Sequence, residues 1–258
     1  MIEIIKSSGS ELSFVIRGIN HTYANAIRRS AEEIPVLAVE NVEISKNDSV
    51  LYDEIIGHRI GLIPLKADKT FTLPEDCSCK GKGCAKCTVA LTLKATGPGI
   101  VRAKDLKSKT VEPVFPEMPL VLLQKDQELE LVAEAKLGKG IEHAKYSPGL
   151  MWFRAYPKIE IDKECNLCKE CVNACPKNVY EADSKITVKN LINCDLCNAC
   201  VEACARKGKN ALKVSGSAED FIFEIESWGQ IAPKEIFTES LGALKENLKN
   251  LDKDLGKI

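Results

Sequence analysis

The chain has 258 residues, more than one ordinary domain contains, so its length predicts two or more modules. Hydrophobic residues at 45% and charged residues at 28% indicate a globular chain with enough apolar surface for a core. Lys and Arg (36) balance Asp and Glu (37), and the net charge of -1 excludes a generally basic nucleic-acid wrapper and an acidic disordered tail.

The cysteine count stands out, because twelve cysteines are present against three histidines. The N-terminus lacks the basic and apolar regions of a signal peptide, and no apolar run approaches the length of a membrane span. We therefore expect a cytoplasmic chain whose clustered, reduced thiols are metal ligands more often than disulfides. All twelve fall in two patches, 77–87 and 165–204, within a scaffold that otherwise has none.

The scaffold mixes strand and helix patterns, which predicts an α+β fold class. Residues 12–17 predict a strand that ends at Gly18, and residues 22–33 predict a helix that Pro35 ends. A further strand is predicted over 36–44. Later β-like runs and a proline-rich loop complete the pattern, the strands at 89–94, 128–135 and 154–161 and the loop at 113–119.

The first cysteine patch places four thiols within eleven residues, in a loop that also holds two glycines. Glycine lets a loop turn tightly around an ion, and four thiolates can close a tetrahedral zinc site with no open catalytic position. The first Cys-x-Cys spacing is shorter than the usual zinc knuckle, so a redox-labile thiol pair and an unmetallated loop remain alternatives. The predicted zinc ligands are Cys77, Cys79, Cys84 and Cys87.

The second patch repeats the motif Cys-x2-Cys-x2-Cys-x3-Cys with an offset of 29 residues. A cubane cluster needs four thiolates in one small volume, three from a tight loop and one from a distant segment. In two-cluster ferredoxins, the fourth cysteine of each run ligates the other cluster. This predicts two [4Fe-4S] clusters, one on a first cysteine set of Cys165, Cys168, Cys171 and Cys204, and one on a second cysteine set of Cys194, Cys197, Cys200 and Cys175.

Zinc and disulfides are the alternatives for these eight cysteines. Zinc gives no reason for repeated x2 spacings followed by x3, and a reducing compartment disfavours disulfides. Strand-like segments precede each copy, at 158–161 and 185–188, and we expect a short helix and another apolar stretch after each copy, as in a ferredoxin-like duplication. The second copy has Ala205 where the first has Pro176, which removes no ligand.

The charge of this region argues against a mobile electron carrier. Residues 161–214 carry nine basic and seven acidic side chains, whereas carriers usually steer toward partners with a strongly acidic surface. The composition therefore favours structural or redox-sensing clusters.

The C-terminal segment predicts a helix of roughly 30 Å or more that starts near Pro233. Apolar residues recur there at heptad spacing, which leaves two interpretations open. The helix packs on its own domain, or its stripe packs against a partner chain. The stripe consists of Phe237, Leu241, Leu244, Leu248, Leu251 and Leu255.

No catalytic site is visible in the sequence. The histidines, His21, His58 and His143, are scattered, and the chain has no phosphate-binding glycine motif, Asp-rich magnesium triplet or nucleophile elbow. Arg28 and Arg29 on their own indicate only an exposed charged face.

Four segments carry a resemblance to a known family. They are Asn25–Arg29 followed by Ile34 and Pro35, His58–Leu65, Glu142–Pro148, and Phe221–Glu226 followed by Trp228, Gly229 and the heptad helix. Taken together and in this order, they resemble the D-type subunits of archaeal DNA-directed RNA polymerase, the counterparts of the bacterial alpha subunit.

The resemblance implies three domains. Residues 1–38 and 215–258 would form an alpha-subunit-like, discontinuous dimerisation domain. Residues 39–160 would form a mostly β insert domain that carries the Cys-rich loop 77–87. Residues 161–214 would form the ferredoxin-like iron-sulfur domain, which only some members of the family have.

The resemblance also implies a non-catalytic assembly subunit. It would form a heterodimer with the small subunit L, on which the large catalytic subunits assemble with small zinc-bearing subunits beside them. Arg28 and Arg29 become candidate contacts to a large subunit, and we expect neither sequence-specific nucleic-acid binding nor membrane association. The alternative function is a ferredoxin-type electron-transfer subunit of an oxidoreductase complex. A metal-stabilised nucleic-acid binder is disfavoured, because near-neutral charge neutralises few phosphates.

Overall fold

The computed structural model describes residues 1–67, 70–163, 165–208 and 210–257. The chain divides into two compact units, each made of three segments. The first unit comprises Met1–Lys6, Ser13–Asn25 and Trp152–Glu224. The second unit comprises Ser7–Leu12, Ala26–Met151 and Ile225–Ile258.

The described residues form thirteen strands and five helices. The strands are β1 (Ile2–Ser7), β2 (Glu11–Arg17), β3 (Val36–Asn47), β4 (Leu65–Ala67), β5 (Thr88–Thr96), β6 (Gly99–Arg102), β7 (Val111–Pro113), β8 (Pro119–Leu123), β9 (Glu128–Gly138), β10 (Gly149–Ile161), β11 (Tyr180–Ala182), β12 (Ile186–Val188) and β13 (Leu212–Ser227). The helices are α1 (His21–Ser30), α2 (Asp53–Gly61), α3 (Glu170–Ala174), α4 (Ala199–Arg206) and α5 (Pro233–Leu255). No helix among the described residues combines the length and apolar composition needed to cross a bilayer.

The strands predicted at 12–17, 36–44, 89–94, 128–135 and 154–161 are confirmed and extend by one to five residues. The strand predicted at 185–188 is also present but begins one residue later, at Ile186. The residues predicted as one helix over 22–33 form α1, which ends at Ser30, and a separate 3-10 turn over Ala31–Glu33. The tighter turn brings the chain to Pro35, which cannot continue a helix. The C-terminal helix begins with Pro233 in its first turn, as predicted.

The first unit is built on a four-stranded sheet with the strand order β1-β2-β13-β10. Aromatic rings line one of its faces: Phe14 stacks on Phe223 with ring centroids 5.6 Å apart, and Phe153 stacks on Phe223 at 5.4 Å. His21 meets the edge of Phe153 at 5.3 Å. This histidine therefore belongs to an aromatic cluster.

The cysteine motifs of the first unit contain the two short helices. We expect a helix after each motif, but α3 begins before Cys171 and α4 includes both Cys200 and Cys204, so the expected position is wrong. Each helix follows a residue in the left-handed conformation, which turns the chain sharply out of the loop that carries the first two cysteines. The expected apolar stretches then follow as β11 and the start of β13.

The second unit is centred on an antiparallel sheet with the order β3-β9-β5. Every second residue of β9 from Leu129 to Ala135 is buried, the alternation that places one face of a strand in the core. Helix α2 packs on β3 and contributes Ile56 and Ile60, which are at most 1% exposed. This core supports the loop of the first cysteine patch, which runs from β4 to β5.

A polar network closes one side of the second unit around Glu40 of β3. The Glu40 carboxylate accepts hydrogen bonds from the Tyr146 hydroxyl at 2.9 Å and from the ammonium group of Lys145, and it pairs with Lys136 at 3.1 Å. Tyr146 is 2% exposed, and a Cβ at Gly138 would lie 2.6 Å from its ring, so only glycine fits there. The hydrogen bond from Lys145 is the main reason that the pKa of Glu40 falls to about 2.

We predict that Glu40→Gln destabilises the second unit by about 2 kcal/mol at pH 7, the scale of hydrogen bonds to a charged group. The folded-state pKa lies below the ordinary value of 4.5, so the stabilisation is present above pH 4.5 and is lost as the pH falls toward about 2. Hydrogen exchange of segment 36–47, measured in parent and variant across this range, reports the difference in opening free energy.

The control for this prediction is Glu130→Gln on β9. Glu130 pairs with Lys94 at 2.9 Å, but the Lys94 side chain is 74% exposed and that of Glu130 is 45% exposed, so its loss should cost less than about 0.5 kcal/mol. Equal effects of the two substitutions at pH 7 would contradict the importance of the Glu40 network.

Candidate metal centres

The first cysteine patch forms a compact group of four thiols. Among the described residues, this is the one group of three or more His, Cys, Asp or Glu ligand atoms that all lie within 4.8 Å of one another. The Sγ–Sγ distances are 3.6 Å for Cys77 and Cys84, 3.4 Å for Cys79 and Cys87, and 3.8 Å for Cys84 and Cys87. A tetrahedral ion with Zn–S bonds of about 2.3 Å requires sulfurs about 3.8 Å apart, so the geometry fits a single zinc ion.

The backbone of this loop explains how four thiols converge. Gly81 and Gly83 take positive φ angles of 75° and 87°, which L side chains rarely adopt. The amide groups of Cys87 and Thr88 both donate to the Cys84 carbonyl at 2.9 Å, which forms a tight knuckle immediately before β5. The hydrogen bond with Cys87 lowers the pKa of Cys79 to about 6, whereas burial and the same hydrogen bond raise the pKa of Cys87 to about 12. Without a metal, the pair therefore favours one thiolate, on Cys79.

The first cysteine set lines one cavity of the first unit. All four thiols border it, although Cys204 comes from the second copy of the motif. Cys171 is 8% exposed, and burial raises its pKa to about 11, with added repulsion from the charges of Cys165 and Cys168. The remaining lining is mainly apolar and includes Ile161, Ile186, Ala211 and Leu212.

Three members of the second cysteine set, Cys175, Cys194 and Cys200, lie in or against the same hydrophobic core as Cys171. Cys194 and Cys200 are 7% and 6% exposed, whereas Cys197 is exposed. Burial raises the pKa of Cys194, and the charges of Cys200 and Cys175 act in the same direction. Cys175, from the first copy of the motif, is therefore close to the cysteines of the second copy.

The two ligand loops share an unusual backbone conformation. Leu167 and Lys169 in the first loop, and Leu196 and Asn198 in the second, have φ angles between 58° and 63°. Left-handed residues that alternate with ordinary ones turn successive N–H groups toward one point and form the anion-binding nests found at iron-sulfur sites. Non-glycine residues rarely adopt this conformation, and its repetition at equivalent positions gives both loops the same backbone geometry.

A cubane cluster and a single ion place different demands on their ligands. In a cubane the four thiolates bind four different iron atoms at separate corners, so their sulfurs lie farther apart than those around one zinc ion. Within the described part of the chain, the thiols of the duplicated motif form no group of three or more that all lie within 4.8 Å of one another, and this wider spacing is compatible with cubane ligands.

Arg154 of β10 holds the second loop against the sheet. Its guanidinium donates to the Cys194 carbonyl at 2.8 Å and to the Ile192 carbonyl at 2.6 Å, and it lies 3.9 Å from the Glu224 carboxylate. No sequence motif surrounds this arginine, so sequence reasoning misses it. Its role follows only from the packing of β10 beside the turn that precedes Cys194.

The histidines do not form a ligand set. His58 and His143 border one cavity of the second unit, where the His143 Nδ1 accepts a hydrogen bond from the Lys145 amide at 3.1 Å. His143 therefore caps the turn that presents Lys145 and Tyr146 to Glu40.

Two family models match consecutive parts of the chain. The RNA polymerase Rpb3/RpoA insert domain matches residues 42–152, and the 4Fe-4S dicluster domain matches residues 158–205. The second match covers all eight cysteines of the duplicated motif.

Relatives from several archaea are similar over nearly the whole chain. The DNA-directed RNA polymerase subunit Rpo3 of Methanothermobacter thermautotrophicus is 41% identical, over 97% of this chain and 97% of its own length. The Rpo3 of Archaeoglobus fulgidus is 35% identical over 100% and 98%, and that of Methanopyrus kandleri is 33% identical over 98% and 94%.

We predict that Arg154→Met, which keeps the length of the side chain but removes its donors, loosens the turn before Cys194 by about 1–3 kcal/mol. Faster hydrogen exchange over residues 190–197 would measure this change. Lys158→Met is the matched control, because Lys158 is exposed on the same strand. Unchanged exchange in the Arg154 variant would show that the clamp does not stabilise the loop.

Proposed function

The chain belongs to the Rpo3 family of DNA-directed RNA polymerase subunits, and we propose that it is the non-catalytic assembly subunit, the archaeal counterpart of the bacterial alpha subunit. In this proposal it pairs with the small subunit L, and the heterodimer forms the platform for the large catalytic subunits. Small zinc-bearing subunits lie beside it, and the active-site aspartates belong to another chain. Similarity over nearly the whole length does not favour the alternative of a ferredoxin-type electron-transfer subunit.

The exposed stripe of α5 is the observation that carries this proposal. Ile236, Phe237 and Ser240, at the start of the helix, are at most 9% exposed and pack within the second unit. Farther along, Leu248, Leu251 and Leu255 are 56% to 59% exposed on the heptad seam. A regular apolar stripe in water is typical of a surface that a partner helix covers.

The domain organisation proposed for the chain has three parts. Residues 1–38 and 215–258 form the dimerisation domain, 39–160 the insert domain and 161–214 the ferredoxin-like domain. The matched segments at 42–152 and 158–205 support an insert domain followed by a cluster domain. In the assembled polymerase, Arg28 and Arg29 of α1 contact a large subunit, and the complex works in the cytoplasm without a membrane.

We assign two [4Fe-4S] clusters and one zinc ion to the three cysteine groups. The first cysteine set holds one cluster, the second cysteine set holds the other, and loop 77–87 holds zinc. The shared cavity of the first set and the proximity of Cys175 to Cys194 support this crossed assignment. Each cluster then ties the two motif copies together, so its role is to fold this domain and to make assembly sensitive to oxygen or iron.

We predict that Leu248→Glu weakens binding of subunit L at least tenfold, because the partner surface loses a buried leucine and gains a charge that must be desolvated. Isothermal titration calorimetry with purified subunit L measures the affinity, and circular dichroism checks that the helix is retained. The control is Asn250→Glu, which adds the same charge on the opposite face of α5. Equal affinities for parent and Leu248 variant would contradict the proposed partner surface.

We also predict that Cys165→Ser and Cys194→Ser lower the iron and sulfide content and reduce recovery of subunit L and the large subunits. Anaerobic purification with metal analysis and quantification of the bound chains measures both effects. Cys87→Ser is the complementary control, since it should remove zinc and leave the iron content unchanged. Full iron content in the first two variants would contradict the ligand assignment, and iron loss with unchanged assembly would contradict the structural role.

A further inference from the structure

The two motif copies differ in the residue that begins the strand after each of them. Tyr180 begins β11 after the first copy, and Leu212 begins β13 after the second. Both side chains are buried in the same core, at 6% and 4% exposure. The ligands are therefore duplicated, but the residues around them are not.

These two side chains serve different cysteine sets. Leu212 lines the cavity of the first cysteine set, where it offers only methyl groups. The hydroxyl of Tyr180 lies 3.2 Å from the Sγ of Cys200, in the second cysteine set. One set thus has an apolar neighbour at this position, and the other has a hydrogen-bond donor.

The direction of this hydrogen bond follows from the chemistry of the pair. A cysteine that ligates iron is a thiolate and has no proton to donate. A tyrosine hydroxyl ordinarily stays protonated far above neutral pH, and hairpin pairing with Val188 of β12 holds Tyr180 in place. The O–H group of Tyr180 therefore donates to the Cys200 sulfur whenever that sulfur is a ligand.

We propose that Tyr180 is a positioning residue that raises the reduction potential of the cluster on the second cysteine set, so that the chain holds two electronically unequal clusters. This inference rests on the cofactors assigned under the proposed function. A hydrogen bond to a ligand sulfur withdraws electron density from it and stabilises the reduced cluster, which carries more negative charge. In this step, the cluster gains one electron from an external reductant. No bond forms or breaks, and no proton is transferred.

Other charged groups lie near the second cysteine set and must be separated from the effect of the phenol. Arg154 binds the Cys194 carbonyl, Glu224 lies beside that arginine, and the Asp195 carboxylate accepts a hydrogen bond from the Cys197 amide at 3.3 Å. All three are unchanged by a substitution at Tyr180. A Tyr180→Phe variant keeps the buried ring and removes only the hydroxyl, so the difference between variant and parent isolates the hydrogen bond.

The experiment is a redox titration of the full chain, purified anaerobically and followed by electron paramagnetic resonance, after iron and sulfide have been quantified. For Tyr180→Phe, we expect one reduction wave to move to a more negative potential while the other stays in place. Resonance Raman spectra should show the matching rise in an Fe–S(Cys) stretching frequency, which a purely structural role would not produce. Tyr156→Phe is the control, because it also removes a tyrosine hydroxyl from the first unit, but at a residue whose ring contacts Arg17.

The outcomes distinguish this inference from the assignment on which it rests. If the parent chain binds no iron or sulfide, the proposed clusters are wrong. If clusters are bound but Tyr180→Phe moves neither wave, or moves both equally, only the role of Tyr180 is wrong. Should the variant lose iron, replacement of the tyrosines of the parent chain by 3-fluorotyrosine decides, since the stronger hydrogen-bond donor at Tyr180 must move one reduction wave, and not both, to a more positive potential.

Discussion

Convergence of thiols across the duplicated motif is the constraint on which the rest of the first unit depends. Three of the seven buried residues in this core are cysteines, and the apolar remainder is small. A core of this size contributes little stability of its own, and the proposed clusters would couple metal binding to folding there. The left-handed turns and the short helices α3 and α4 are the local structures that bring distant thiols to the same place.

The second unit joins segments that are distant in sequence through polar contacts and a conventional apolar core. Glu40 joins β3 to a turn more than one hundred residues later, and the glycine at 138 leaves room for the buried tyrosine of that turn. The sheet β3-β9-β5 then holds the cysteine loop at one end. Because this framework does not depend on thiols, it can keep the start of α5 packed while the rest of the helix remains exposed.

How much of the structure could be predicted from the sequence depends on how far apart along the chain the interacting residues lie. Cysteine spacing encodes a ligand loop directly, and alternation over five or more residues encodes strands such as β5 and β9. Helices α3 and α4 have five and eight residues, too few for a helical period to appear, so their positions within the motifs are not predictable. Helix α2 is obscured by glycines at 57 and 61. The contacts of Arg154 and Tyr180 are tertiary, and no local pattern indicates them.

The pairing of β2 with β13 has a consequence for synthesis on the ribosome. The Gly18 amide lies close to the Asp220 carboxylate, a partner made 202 residues later. At roughly 5–20 residues per second, the N-terminal strands wait about 10–40 s for the strand that completes their sheet. All twelve cysteines emerge within that interval, so under the proposed cofactor assignment metal delivery and closure of the sheet would compete in time. Under the same assignment, a cell short of iron would change the order of folding events in this chain.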